Sequence, residues 1–176
     1  MNNVVLFGIT GGYVADEIKR ILSYYGIISV CGISIDVISS NPNFLLLEYS
    51  NKVVLKGGKG VAVLIGEISE NSILEIPDNY IGVVYSGDST ALRLLQKNNI
   101  TAITCGMSNL DTLILSSVGD NTASVCVQRQ IITLSGKVIE AGEYPIRLKD
   151  KITDYALLAA IGILLLCDIE PLNIEY

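Results

Sequence analysis

The chain has 176 residues, half of them hydrophobic, with a formal net charge of −6 and a sequence pI near 4.6. This length fits one domain with a substantial buried core, and an acidic chain without a basic cluster excludes binding along a phosphate backbone, so we expect no nucleic-acid partner. The chain contains no histidine, which excludes Ser-His-Asp and Cys-His catalysis and His-containing zinc sites.

Strands and helices alternate through the first half of the chain. The apolar residues 4–7 predict a strand, which is followed by a glycine-rich turn and a helix over about 13–25. Residues 27–38 indicate a strand pair or one irregular strand. Further elements are predicted at 44–49, 52–56, 61–65, 80–85 and 101–105 (strands) and at 90–98 (helix). Such alternation favours a largely parallel sheet with helices on its faces.

Residues 57–60, Gly-Gly-Lys-Gly, separate two of these strands. The segment lacks the Ser or Thr that follows the lysine of a P-loop. We therefore interpret it as a hairpin turn between the two strands, with anion contact by Lys59 as the alternative.

The second half begins near Gly106 and is typical of antiparallel strands, at 112–118, 124–132 and 144–148, before an apolar helix over about 154–167. That helix is shorter than the roughly 20 residues of a membrane span, and no secretion signal precedes the first strand. We expect a cytoplasmic protein without a membrane partner. The predicted fold is one α/β domain over 1–176: a mostly parallel, three-layer sheet of the P-loop or Rossmann kind with helices on both faces and an antiparallel extension in its C-terminal half.

Two positions at predicted strand ends are candidate ligand contacts. Thr10, Gly11 and Gly12 lie in the turn before the first helix, where backbone N–H groups can bind an anion such as a nucleotide phosphate. The alternative is a tight corner that needs glycine for steric reasons. Asp88 follows a strand at the edge where open α/β sheets bind ligands, but Asp88 also suits the N-cap of the next helix.

Several segments, in chain order, resemble the central ATP-binding domain of the Mur ligases, the ATP-dependent amide ligases of peptidoglycan synthesis. The opening Gly8-Ile9-Thr10-Gly11 is similar to the start of the family's ATP loop. The strand that ends in Glu48-Tyr49-Ser50 resembles the family strand ending in E-x-S, whose glutamate helps hold magnesium. The other similar segments are 61–69, 83–88, 103–108 and 155–166. The resemblance implies the fold, and it implies Glu48 as a metal ligand; the alternative for Glu48 is a solvated carboxylate at a strand end.

Departures from the family pattern affect the chemistry more than the fold. The family loop continues with a lysine and a threonine, whereas Gly11 is followed by Gly12-Tyr13-Val14. The family's Asp-His segment is replaced by Glu70-Asn71-Ser72. No segment resembles the family's flanking domains, so the chain resembles a degenerate, truncated central domain. Acyl-phosphate formation needs magnesium and cationic groups, so ATP and magnesium are disfavoured as cofactors, and we predict a chain without ligase activity.

Three functions remain open from the sequence. The first is a non-catalytic binding or scaffold module, linked to cell-wall metabolism, whose partner is another protein or a second copy. The second is a binder of, or enzyme on, a small phosphorylated ligand such as a nucleotide or nucleotide-sugar, held by the turn at 8–12. The third is an obligate subunit that completes a site on another polypeptide.

Overall fold

A computed structural model describes residues 1–8 and 12–171. Its helices are α1 (Tyr13–Ser23), α2 (Ser89–Lys97) and α3 (Asp154–Leu166). Its strands are β1 (Asn2–Gly8), β2 (Ile27–Cys31), β3 (Ser34–Val37), β4 (Phe44–Tyr49), β5 (Lys52–Val54), β6 (Gly60–Ile65), β7 (Ile73–Glu75), β8 (Tyr80–Tyr85), β9 (Thr101–Gly106), β10 (Leu113–Val118), β11 (Thr122–Val127), β12 (Ile131–Ile132), β13 (Val138–Ile139) and β14 (Gly142–Arg147).

Ten of these strands form one sheet in the order β14-β11-β10-β9-β8-β6-β1-β4-β2-β3. The strands from β10 through β2 in this order pair in parallel. Antiparallel pairs extend the sheet at both ends, β10–β11–β14 at one and β2–β3 at the other. The predicted α/β fold with a C-terminal antiparallel extension is confirmed, and residues 27–38 form a strand pair.

Helices cover both faces of the sheet. On one face, α1 and α3 pack together over the larger apolar core, and the buried residues of α3 run from Ala156 to Leu166. On the opposite face, α2 packs against β8 and β9 in a second, smaller core. An apolar helix is stable in water only when its whole circumference is covered, and α3 meets this condition between α1 and the sheet. In the described parts of the chain, no helix is long and apolar enough to cross a bilayer.

The prediction of a hairpin at 57–60 is wrong. β5 pairs in parallel with β7 in a separate two-stranded sheet, with Lys52 opposite Ile73, whereas β6 pairs with β1 and β8. Residues 57–59 therefore lie between the two sheets, and Gly60 begins β6. Strands of three residues carry too little periodicity to reveal such a partner from sequence. The Lys59 ammonium donates a hydrogen bond of 3.2 Å to the carbonyl of Leu134.

Candidate functional site

The turn after β1 begins at a glycine that no other residue can replace without strain. Gly8 has φ +133°, and a Cβ atom placed on it would lie 1.8 Å from the carbonyl oxygen of Ile65. The backbones of β1 and β6 approach each other closely at this point, which explains the glycine sterically. Thr10 and Gly11 lie outside the described residues, so their assignment to an anion site stays a prediction.

Gly12 is the N-cap residue of α1. It has φ −87° and ψ 159°, and it has no side chain to accept a hydrogen bond from the first turn of the helix. Its carbonyl accepts the first helical bond, from the amide of Asp16 at 3.1 Å. The leading amides of α1 thus lack the side-chain acceptor that usually satisfies such groups. This geometry is compatible with an anion or with water.

Glu48 is the most buried of the predicted site residues that the structure describes. It is only 5% exposed, so the expectation of a solvated carboxylate is wrong. Its Oε1 accepts hydrogen bonds from Lys19 Nζ at 3.1 Å and from the Ser29 hydroxyl at 3.4 Å. Its Oε2 is buried without a hydrogen-bond partner. Burial follows from the alternation along β4, which turns Phe44, Leu46 and Glu48 towards the core beneath α1.

Lys19 supplies the positive charge that makes this burial tolerable. Its ammonium also lies 2.9 Å from Asp16 Oδ1, so one cation serves two carboxylates. Burial by itself lowers the pKa of Lys19, but hydrogen bonds to Asp16 and Glu48 and the charges of both carboxylates outweigh burial and raise it. Sequence reasoning missed this contact because its residues lie 29 positions apart. The only local signal was the i, i+3 spacing of Asp16 and Lys19.

A cleft of about 600 Å³ opens beside this ion pair, between α1 and the β2–β3 hairpin. Asp36 of β3 adds a further carboxylate to its lining, and Arg20 of α1 adds a second cation. Arg20 is itself paired with Asp150 at 2.9 Å. The cleft is therefore lined by charges that largely neutralise one another, which differs from the strongly cationic surroundings of a polyphosphate.

The residues around Glu48 do not fit a divalent cation. One carboxylate oxygen of Glu48 already binds an ammonium, and a second cation close to Lys19 would meet its charge directly. Magnesium prefers several oxygen ligands in octahedral arrangement. Among the described residues, no group of three or more His, Cys, Asp or Glu side chains is arranged to hold a metal ion.

Asp88 performs the capping role that the sequence offered as its alternative. Its Oδ1 accepts hydrogen bonds from the amides of Thr90 and Ala91, at 3.0 and 2.9 Å. β8, which Asp88 follows, is separated from β4 by β6 and β1. Lys19 of α1 contacts Glu48, whereas Asp88 and Glu48 follow or end strands that have two other strands between them in the sheet. A ligand contact by Asp88 stays a prediction.

Besides Glu48 of β4, α1 carries a buried carboxylate, Glu17, which was not recognised from the sequence. Glu17 is 4% exposed and accepts hydrogen bonds from the Thr153 amide at 3.1 and 3.2 Å and from its hydroxyl. Thr153 is the N-cap residue of α3, where a negative charge is favourable. The cap is therefore Thr153, and the helix begins at Asp154, the first residue of the predicted range. No local motif could reveal this contact, because 136 positions separate the two residues.

The arrangement of strands and helices is that of a Mur ligase-like α/β fold. No protein-family model and no curated protein sequence matches the chain. Solved structures of Mur ligases do match it, at identities that establish the fold alone.

One such structure is the UDP-N-acetylmuramate:L-alanyl-gamma-D-glutamyl-meso-diaminopimelate ligase from Neisseria meningitides, with a TM-score of 0.60 and 13% identity over 97% of this chain and 63% of that one. Another is the UDP-N-acetylmuramoylalanyl-D-glutamyl-2,6-diaminopimelate–D-alanyl-D-alanyl ligase from Acinetobacter baumannii, with a TM-score of 0.57 and 12% identity over 100% of this chain and 46% of that one. A third is the MurF ligase from Thermotoga maritima in complex with ADP, with a TM-score of 0.53 and 13% identity over 96% of this chain and 46% of that one. This chain thus spans less than two thirds of each ligase.

Proposed function

We propose that this chain is a degenerate, non-catalytic Mur ligase-like domain that serves as a binding or scaffold module in cell-wall metabolism. The observation that carries the proposal is the contact between Lys19 and Glu48. In the resemblance described above, this glutamate helps to hold magnesium. In this chain a lysine ammonium lies 3.1 Å from its Oε1, so the charge of the carboxylate is balanced by the protein itself.

The sequence of the first turn supports the same proposal. A phosphoryl group in transfer develops negative charge that magnesium and cationic side chains must offset. The positions that follow Gly11 are Gly12, Tyr13 and Val14, none of which carries a charge. The first basic residue of α1, Lys19, is engaged by two carboxylates. Among the described residues around β1 and α1, no group replaces the magnesium site or the free cationic side chain that ATP-dependent ligation needs.

The link to the cell wall rests on the solved structures of similar fold. The ligases from Neisseria meningitides and Acinetobacter baumannii are, by name, ligases of UDP-N-acetylmuramate or UDP-N-acetylmuramoyl compounds. A domain that kept this fold and lost the charge-balancing residues is suited to bind a protein of that pathway, or a second copy, without carrying out the reaction. Because fold alone does not specify function, this link needs a direct test.

Isothermal titration calorimetry of the full chain with ATP and Mg²⁺, combined with an assay for released phosphate, tests the absence of catalysis. We expect no hydrolysis and no binding heat that depends on Mg²⁺. A matched titration with ATP and excess EDTA separates nucleotide binding from metal binding. Micromolar ATP binding followed by hydrolysis would refute the proposal.

Binding of a nucleotide or nucleotide-sugar at the turn after β1 is the second candidate function. The uncapped amides at Gly12 favour it, because a ligand phosphate could accept hydrogen bonds from them. The same calorimetry distinguishes the two candidates. Micromolar binding of ATP or of a UDP-sugar in EDTA, without hydrolysis, would support this second function.

A further inference from the structure

The two outer strands of the ten-stranded sheet are protected very differently. The strand at one edge, β14, carries Pro145 and the charged Glu143 and Arg147. Proline and charged residues are the usual means by which an edge strand avoids pairing with other chains. The strand at the other edge, β3, reads Ser34-Ile35-Asp36-Val37; it contains no proline, and Asp36 is its one charged residue. Within the described residues, no strand pairs with its outer side.

The apolar side chains of β3 are exposed to solvent. Ile35 and Val37 are each 65% exposed, and Ile33 in the preceding turn is fully exposed. Ile35 lies opposite Val30 of β2, and Val37 lies opposite Ile28. Because strand side chains alternate between faces, these four form one apolar patch, while Ser34 and Asp36 point to the other face. A contiguous exposed apolar patch marks an interaction surface.

We propose that β3 is a dimerisation edge, which pairs antiparallel with β3 of a second copy of this chain around a two-fold axis. A two-fold interface brings the same patch of both copies together, so the patch must complement itself. Antiparallel addition of one strand to another edge would satisfy the free backbone groups of both copies and extend each sheet into one continuous sheet.

The register of the pair follows from charge and side-chain chemistry. If Ile35 lies opposite Ile35 of the second copy, Ile33 meets Val37, and Ser34 meets Asp36. This register buries apolar pairs on one face and places a hydroxyl donor opposite each carboxylate on the other. A register centred on Asp36 would place two like charges opposite each other, which is destabilising. The register centred on Ile35 pairs the apolar residues 33, 35 and 37 with one another and opposes no like charges, which is the reason to assign the partner of β3 as a second copy.

Sedimentation velocity of the full chain over a range of concentrations tests the dimer. We expect reversible, concentration-dependent dimerisation that strengthens with added salt, because each copy carries a net charge of −6 and salt screens the repulsion. Ile35→Lys should give a monomer. The matched control is Ile132→Lys on β12, which changes a residue of the same type and similar exposure, 61%, outside the large sheet, and it should dimerise like the unmodified chain.

Disulfide cross-linking tests the register without relying on Ile35→Lys to fold. In a Cys31→Ser background, Ile35→Cys should form an intermolecular disulfide on mild oxidation, because residue 35 lies opposite itself. Asp36→Cys in the same background should not. A monomeric unmodified chain, a dimer that survives Ile35→Lys, or equal cross-linking at both positions would overturn the proposal. The dimer does not depend on the proposed absence of catalysis. ATP hydrolysis would refute the proposed function and leave the dimer standing, and a monomeric chain would refute the dimer and leave the proposed function standing.

Discussion

The ammonium of Lys19 lies 3.1 Å from Oε1 of Glu48, and this contact joins α1 to β4 of the large sheet. The Glu48 side chain is 1% exposed and the Lys19 side chain 25%. Burying a carboxylate is costly unless a cation and hydrogen bonds compensate it. The main effect of Lys19 on stability is therefore that it compensates the buried charge of Glu48. If Lys19 were lost, that charge would remain buried without a partner.

Replacing Lys19 alone should destabilise the chain. Lys19→Met leaves the Glu48 carboxylate buried without its cation, and we expect a loss of roughly 2–4 kcal/mol in the free energy of unfolding, since fully buried pairs lose about 3–5 kcal/mol in this way. Urea denaturation followed by circular dichroism measures the change. Lys97→Met, at an exposed lysine of α2, is the control and should change stability by less than about 0.5 kcal/mol.

The double variant Lys19→Met, Glu48→Gln separates loss of a pair from loss of a charge. Removing both ions should recover more than half of the stability lost in Lys19→Met, because no unpaired charge then remains buried. If the double variant is as unstable as the sum of the two single variants, the ion pair does not couple these positions and the interpretation of Lys19 is wrong.

The stability contribution of Lys19 should disappear at high pH. The folded state raises the pKa of Lys19 above its ordinary value of 10.5. A group whose pKa rises on folding stabilises the folded state fully below its unfolded pKa and loses this contribution as the pH rises through its folded pKa. The stability difference between the unmodified chain and Lys19→Met should therefore be constant from about pH 7 to about pH 9 and shrink above about pH 10.5. A difference that stays constant through this range would contradict the assignment.

Much of the fold could be predicted from local patterns. The strand at 80–85 matches β8, and the helix predicted over 90–98 differs from α2 by one residue at each end. These elements have long apolar runs or an Asp88 cap close in sequence, so their signals are local. The pairing of β5 with β7 escaped prediction because each strand has only three residues and the partners lie about twenty positions apart.

The candidate site was less predictable than the fold, because its contacts are long-range. Glu48 was recognised from the sequence as a site residue, but its burial was not, because that depends on α1 lying over β4. Lys19, which compensates its charge, was not recognised either. Glu17 had no signal at all, since its partner Thr153 lies near the other end of the chain. Charges that pair across elements become visible only when packing brings the elements together, whereas the Asp88 cap is formed with its own helix.

The buried Glu17 should be necessary for the packing of α3 against α1. Glu17→Ala removes the acceptor for the amide and hydroxyl of Thr153, which is half-buried, and we expect a loss of about 1–2 kcal/mol, within the range for donors left unpaired. Thr153→Ser keeps the hydroxyl and should cost less than Thr153→Ala. Thermal unfolding of these variants measures the order. Glu70→Ala is the control, because the Glu70 side chain is 82% exposed; a loss as large as that of Glu17→Ala would contradict the role of Glu17.

Asp88 variants separate capping from ligand binding. Asp88→Ala removes the acceptor for the Thr90 and Ala91 amides and should cost about 1 kcal/mol. Asp88→Ser can still cap the helix but lacks a charge, and we expect nearly full stability. If Asp88→Ser is stable yet loses a thermal shift that a nucleotide produces in the unmodified chain, then Asp88 contacts a ligand. An equal shift in both proteins would restrict Asp88 to capping.

Gly8 should be the glycine of the candidate site that tolerates substitution least. Gly8→Ala places a methyl group 1.8 Å from the Ile65 carbonyl oxygen at φ +133°, so β1 and β6 must separate for the variant to fold. We expect an insoluble protein or a loss of more than about 3 kcal/mol, because strain and lost sheet pairing combine. Gly57→Ala is the matched control, since no atom lies within 4 Å of its added methyl group, and its urea midpoint should stay close to that of the unmodified chain. A Gly8→Ala variant with an unchanged midpoint would show that the corner after β1 adapts freely and would refute the steric explanation for this glycine.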